Sequence, residues 1–187
     1  MKTPTLLTLI AMAIVPEMSV RDNLGIGAGA QGTEGDQDKG WLPMQLVTAW
    51  EKVSSFAERF QLRMPPAGQP IGTLSGGNIQ RLVLGREIVS APNVLLAYYP
   101  THGLDIGATR TIHAMLREAC EAGSAVLFVP EDLEELMTVS DRLAVMFHGQ
   151  VVGTFDRADV DLSMVGLMMT GGHVDGASKS EMEMVAA

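Results

Sequence analysis

TLSGGNIQR, residues 73–81, decides how this chain is read. Ser75, Gly76 and Gly77 lie just ahead of the apolar, helix-forming stretch IQRLVLGREIV. Glycines let backbone N–H groups approach an anion closely, and a helix N-terminus adds partial positive charge. The Ser75 hydroxyl can donate one further hydrogen bond, so the turn suits a phosphate. Alone, a Ser-Gly-Gly of this kind often does no more than cap a helix. Its meaning depends on what surrounds it.

Upstream, residues 41–62 place Leu42, Leu46, Val47, Trp50, Val53, Phe56, Ala57 and Phe60 at spacings of three and four. That period predicts one apolar helical face, which Pro65, Pro66 and Pro70 are expected to terminate. Residues 25–40, GIGAGAQGTEGDQDKG, read as a loop with no core-forming capacity. The run at 6–15 reads as a buried strand. With Lys2 and Ala11-Met-Ala13 it also has a faint likeness to a secretory leader. It is shorter than the roughly 20 apolar residues that a bilayer span needs.

Downstream, VLLAYYP at 94–100 reads as a strand ending in Tyr98 and Tyr99. A turn with Gly103 and Gly107 follows, then a helix over 107–121 with Gly123 just past its end. AVLFV at 125–129 is a second strand, EDLEELMTVSD a short helix, and RLAVMF at 142–147 a third strand. His148-Gly149 suits a hairpin turn into QVVGTF. A last helix is expected over 158–169 and a disordered tail over 173–187. Strands alternating with helices predict an α/β fold with a mostly parallel sheet.

Composition narrows the function. Apolar residues make up 47% of the 187, enough for a core. Thirteen basic residues against 22 acidic ones give a net charge of −9, which argues against a nucleic-acid partner. Cys120 is the only cysteine, so no intramolecular disulfide can form. Glu131, Asp132, Glu134 and Glu135 read as a solvated helix face. His102, His113 and His148 have no ligand spacing, so no metal site is expected.

In this order, the segments resemble the second half of an ATP-binding cassette from an ABC transporter. LSGGN matches the family's signature motif, VLLAYYP stands at the Walker B strand, THGLD matches the loop after it, and SDRLAVMFHGQVVG matches the closing strands. IVPEMSVRDNL and LSMVGLMMTGG are similar to segments of the second cassette of tandem importers for sugars and nucleosides, with a stretch missing between Glu17 and Met18. The likeness covers residues 12–172. It implies a P-loop-type fold lacking the phosphate-loop half, with a helical lobe at 41–90 and a core at 91–155. It also implies permease partners and a cytoplasmic place, peripheral at the inner face of the cell membrane.

The departures from the family concern hydrolysis. No G-x-x-x-x-G-K-[ST] occurs; in GGHVDGASKS, residues 171–180, Lys179 falls too late. Tyr98 and Tyr99 stand where the resemblance implies the Mg²⁺-binding aspartate and the water-polarising glutamate. Glu131 stands where a switch histidine is usual. A neutral phenol with a pKa of about 10 is a poor Mg²⁺ ligand and a poor base at pH 7. The resemblance thus implies a chain that does not hydrolyse ATP alone. It would offer Ser75, Gly76, Gly77 and Asn78 in trans to ATP and Mg²⁺ on a partner cassette with an intact phosphate loop, with Asp105 at the dimer interface. The competing readings are a truncated remnant with no transport role, and a non-catalytic interaction protein using the 41–62 helix and the sheet edge.

Overall fold

Val94–Tyr98 (β1) and Ala125–Val129 (β2) run parallel, Val94 opposite Ala125 and Tyr98 opposite Val129. This pairing is the centre of the computed structural model, which describes residues 14–26 and 41–172. Parallel strands need a crossover, and here it is a helix, Ile106–Glu121 (α4). Asp105 caps that helix, its Oδ1 accepting from the Ala108 N–H at 2.9 Å. At the other end Gly123 adopts φ +99°, which lets the Ser124 N–H reach the Ala119 carbonyl at 3.0 Å.

Four further helices belong with this sheet or follow it: Val20–Gly25 (α1), Trp41–Arg59 (α2), Gly76–Val89 (α3) and Leu133–Val139 (α5). Phe56, Leu84, Ile88, Leu95, Ile112, Met115 and Leu116 form one buried cluster between α2, α3, α4 and β1. Val20, Leu24, Val53, Ile71 and Leu82 form a second. Phe56 and Val53 lie one turn apart on α2, so this helix feeds both clusters. Val47, expected on the same stripe, is exposed. The prolines do not end α2. It closes earlier, where Gln61 turns left-handed at φ 54° and the Leu62 N–H bonds back to the Ala57 carbonyl at 2.9 Å.

A polar anchor ties α1 to this lobe. Asn23 is fully buried, and its Oδ1 accepts from the Val15 N–H at 2.7 Å. Its Nδ2 donates to the carbonyls of Val15, Met18 and Ser19 at 3.0 to 3.1 Å. Arg86, on α3, donates through Nη1 to the Asn23 carbonyl at 2.9 Å and pairs with Glu87 at 2.6 Å.

The chain divides into two units, Met1–Leu133 and Glu134–Ala187. The segment 91–155, expected as one core, therefore spans a division. In the second unit Arg142–Phe147 (β3) and Gln150–Asp156 (β4) pair antiparallel, and Leu162–Met169 (α6) packs on β3. The expected hairpin turn is present, with His148 at φ 48° and Gly149 at φ 80°, the double left-handed conformation of a two-residue turn. The α/β class and the parallel pair follow the expectation. Among the described residues, β3 and β4 form their own two-stranded sheet rather than extending a parallel one. Nearly all of the 6–15 run, most of the 25–40 loop, the tail 173–187 and all but the first two residues of GGHVDGASKS lie outside the described residues. Ile14 and Val15 are neither helix nor strand.

Replacing Asn23 by Ala takes the acceptor from the Val15 N–H and one donor from each of three carbonyls, which keep the N–H groups of Met18, Ile71 and residue 23. Asn23→Ala is expected to lower unfolding stability by about 1–3 kcal/mol in a urea titration with an unchanged slope.

Candidate functional site

Ser75 is the N-cap of α3, and Gly76, Gly77 and Asn78 are already its first turn, not a loop ahead of it. The Asn78 and Ile79 N–H groups are taken by the Ser75 carbonyl, at 2.9 and 3.0 Å. Those of Gly76 and Gly77 precede the first intrahelical bond. The Ser75 side chain makes no capping bond, no acidic residue occupies the first turn, and Ser75, Gly76 and Asn78 are exposed. A Cβ at Gly76 would meet nothing within 4 Å, so the packing of this chain does not demand glycine there. Gly77 differs: a Cβ would lie 3.0 Å from Leu104 Cδ2, in the turn after β1. The α3 start and the THGLD turn are thus in contact. Asn78 is held by Arg81, whose Nη2 donates to Asn78 Oδ1 at 2.7 Å and whose Nε donates to the Gly77 carbonyl at 3.1 Å.

At the carboxyl end of β1, Tyr98 and Tyr99 are both part-exposed, their rings 4.2 Å apart and tilted by 40°. Tyr99 is left-handed at φ 47°, a conformation that costs a residue with a Cβ about 1 kcal/mol or more. The Tyr99 N–H donating to the Val129 carbonyl at 2.8 Å holds it there. The hydrogen bond with Tyr98, then the charge interaction with Tyr98, slight desolvation and the Glu131 carboxylate, all raise the Tyr99 phenol above its ordinary pKa. Such an end does not fit a Mg²⁺ ion. It offers two neutral phenols, one of them harder to ionise than usual, where a hard cation takes charged oxygens.

The structure also makes a pairing that the sequence reading missed. His102 Nδ1 lies 2.7 Å from Glu131 Oε2, joining the turn after β1 to the turn after β2. The residues are far apart in sequence, and only the in-register parallel pairing sets the two strand ends side by side. Asp105, expected at an interface, has its Oδ1 engaged in capping α4. His113 packs edge-on to Phe128 at 6.1 Å, and Cys120 is exposed. Among the described residues no group of three or more His, Cys, Asp or Glu side chains could hold a metal ion.

No protein-family model matches the chain. Curated relatives do. It is 37% identical over 131 residues to the guanosine import ATP-binding protein NupO of Bacillus subtilis, an alignment covering 70% of this chain and 26% of that protein. It is 37% identical over 159 residues to the ribose import ATP-binding protein RbsA of Lactococcus lactis subsp. cremoris, covering 85% and 31%. A nucleotide-free ATP-binding cassette from an ABC transporter superposes with a TM-score of 0.60 at 26% identity, over 75% of this chain and 56% of that one. The chain is part of an ABC-type ATP-binding cassette. A dimeric bacterial ABC transporter cassette shares the fold, with a TM-score of 0.61 at 19% identity, over 76% and 58%. The cassette portion seen here spans about a quarter to a third of the curated relatives' length. No described helix is long and apolar enough to cross a membrane.

Tyr98 and Tyr99 are the only tyrosines, so absorbance at alkaline pH reads them alone. Tyr99 is expected to ionise above the ordinary value of about 10, and Tyr98→Phe should bring it back down. Because its folded pKa is raised, Tyr99 stabilises the fold below the unfolded pKa and loses that contribution as pH rises through the folded one.

Proposed function

We propose that this chain completes an ATP site on another cassette within an importer for sugars or nucleosides, and does not hydrolyse ATP by itself. One contrast carries the reading. The start of α3 is open and chemically suited to a phosphate, whereas the end of β1 carries phenols where hydrolysis needs carboxylates. Two free N–H groups, an uncommitted Ser75 hydroxyl and the positive end of a 14-residue helix face outward together. Gly76 keeps its backbone uncovered although its own surroundings would admit a side chain.

ATP and Mg²⁺ then belong to the partner's phosphate loop, and this chain adds Ser75, Gly76 and Gly77 against the terminal phosphates. Asn78, fixed by Arg81, keeps that first turn in place. Asp105 acts indirectly: by capping α4 it sets the turn that puts Leu104 against Gly77. Permease subunits complete the assembly and hold the chain peripherally at the inner face of the cell membrane. The import of guanosine and ribose named for the relatives supports the solute class.

Gly76 gives the cleanest test, since a side chain there disturbs nothing within the chain. In a complex with a phosphate-loop cassette and its permease subunits, Gly76→Asp or Ser75→Arg is expected to lower ATP turnover about tenfold or more, the scale for losing a transition-state donor. Turnover equal to that of the unaltered complex would count against donation in trans. The isolated chain should show no Mg²⁺-dependent turnover, and Tyr98→Asp with Tyr99→Glu should not create any.

A further inference from the structure

Beside α3 lies a groove of about 820 Å³, of whose lining the function above uses only Asn78 and Arg81. Trp50 of α2, Leu62, Met64 and Leu74 supply its apolar floor. Arg63 and Arg81 also line it, and none of its lining side chains is acidic. That is unusual in a chain of net charge −9. Among the described residues neither arginine is paired with a carboxylate. The bonds of Arg81 go to a neutral carbonyl and a neutral amide, which fix its guanidinium without cancelling its charge. Trp50 is half-buried, anchored on one side in the α1–α2 cluster.

We propose that this groove binds a small organic anion with a flat apolar body. The volume lies in the range of small-molecule sites, about 300–1,000 Å³. The indole offers a stacking surface, and two guanidiniums in the lining, neither paired with a carboxylate among the described residues, favour a sulfonate, phosphate or carboxylate held by a charge-assisted bond. Such a ligand would compete for Arg81 and so reach Asn78 in the α3 first turn. Binding itself does not depend on the donor role of Ser75–Gly77.

The chain has two tryptophans, Trp41 and Trp50, so Trp41→Phe leaves Trp50 as sole reporter. The probe is 8-anilinonaphthalene-1-sulfonate, and its uncharged comparator is N-phenyl-1-naphthylamine, which has the same aromatic body. The sulfonate is expected to quench Trp50 saturably at one site and to bind about tenfold more tightly than the neutral amine. Arg63 is exposed, so Arg63→Ala should leave the fold intact while removing most of that preference, and Arg63→Lys should keep it. Equal affinity for the two probes, an unchanged preference in Arg63→Ala, or no saturable quenching would overturn the proposal. Should Trp41→Phe fail to fold, the probes' own emission in the unaltered chain and in Arg63→Ala gives the same comparison.

Discussion

The parallel pairing of β1 with β2 is the constraint on which the first unit depends. A parallel pair cannot be closed by a tight turn, so the chain must cross over, and α4 is that crossover. Its start is fixed by the Asp105 cap and its end by the left-handed Gly123. With Tyr98 opposite Val129, the turns that follow the two strands become neighbours, and the His102–Glu131 contact follows. The same geometry presses Leu104 against Gly77 and so couples the strand ends to the start of α3.

Packing then distributes this order into the helical lobe. Phe56 of α2 enters the cluster beneath β1, while Val53, one turn earlier, enters the cluster against α1. Asn23 and Arg86 lock the same region by hydrogen bonds that only a folded lobe can satisfy. The exposed first turn of α3 therefore rests on a helix whose middle, residues 82–86, is buried. In the proposed role that support would matter, because loose N–H groups would have to be ordered again on binding.

Much of this was legible beforehand. Short apolar runs bounded by glycine and polar turns marked β1, β2 and the β3–β4 hairpin. The three-and-four spacing marked α2, and LSGGN marked the start of α3. The errors were errors of local geometry. Prolines at 65–70 suggested a helix end that the backbone had already made at Gln61. Val47 fitted the apolar period and yet is exposed. Ser-Gly-Gly reads as a loop ahead of a helix, since glycine is a poor helix former, yet it is the cap and first turn of α3.

The sequence by itself determined the α/β class, the kinship with ABC cassettes and the replacement of two expected carboxylates by Tyr98 and Tyr99. These follow from residue identity, period and order, which are local properties of the chain. Tertiary structure alone decided that His102 meets Glu131, that Leu104 covers Gly77 while Gly76 stays open, and that Arg63 and Arg81 line one groove with Trp50, neither paired with a carboxylate among the described residues. Each depends on residues distant in sequence being brought together by strand register and helix packing, and no local pattern encodes which distant side chain will arrive.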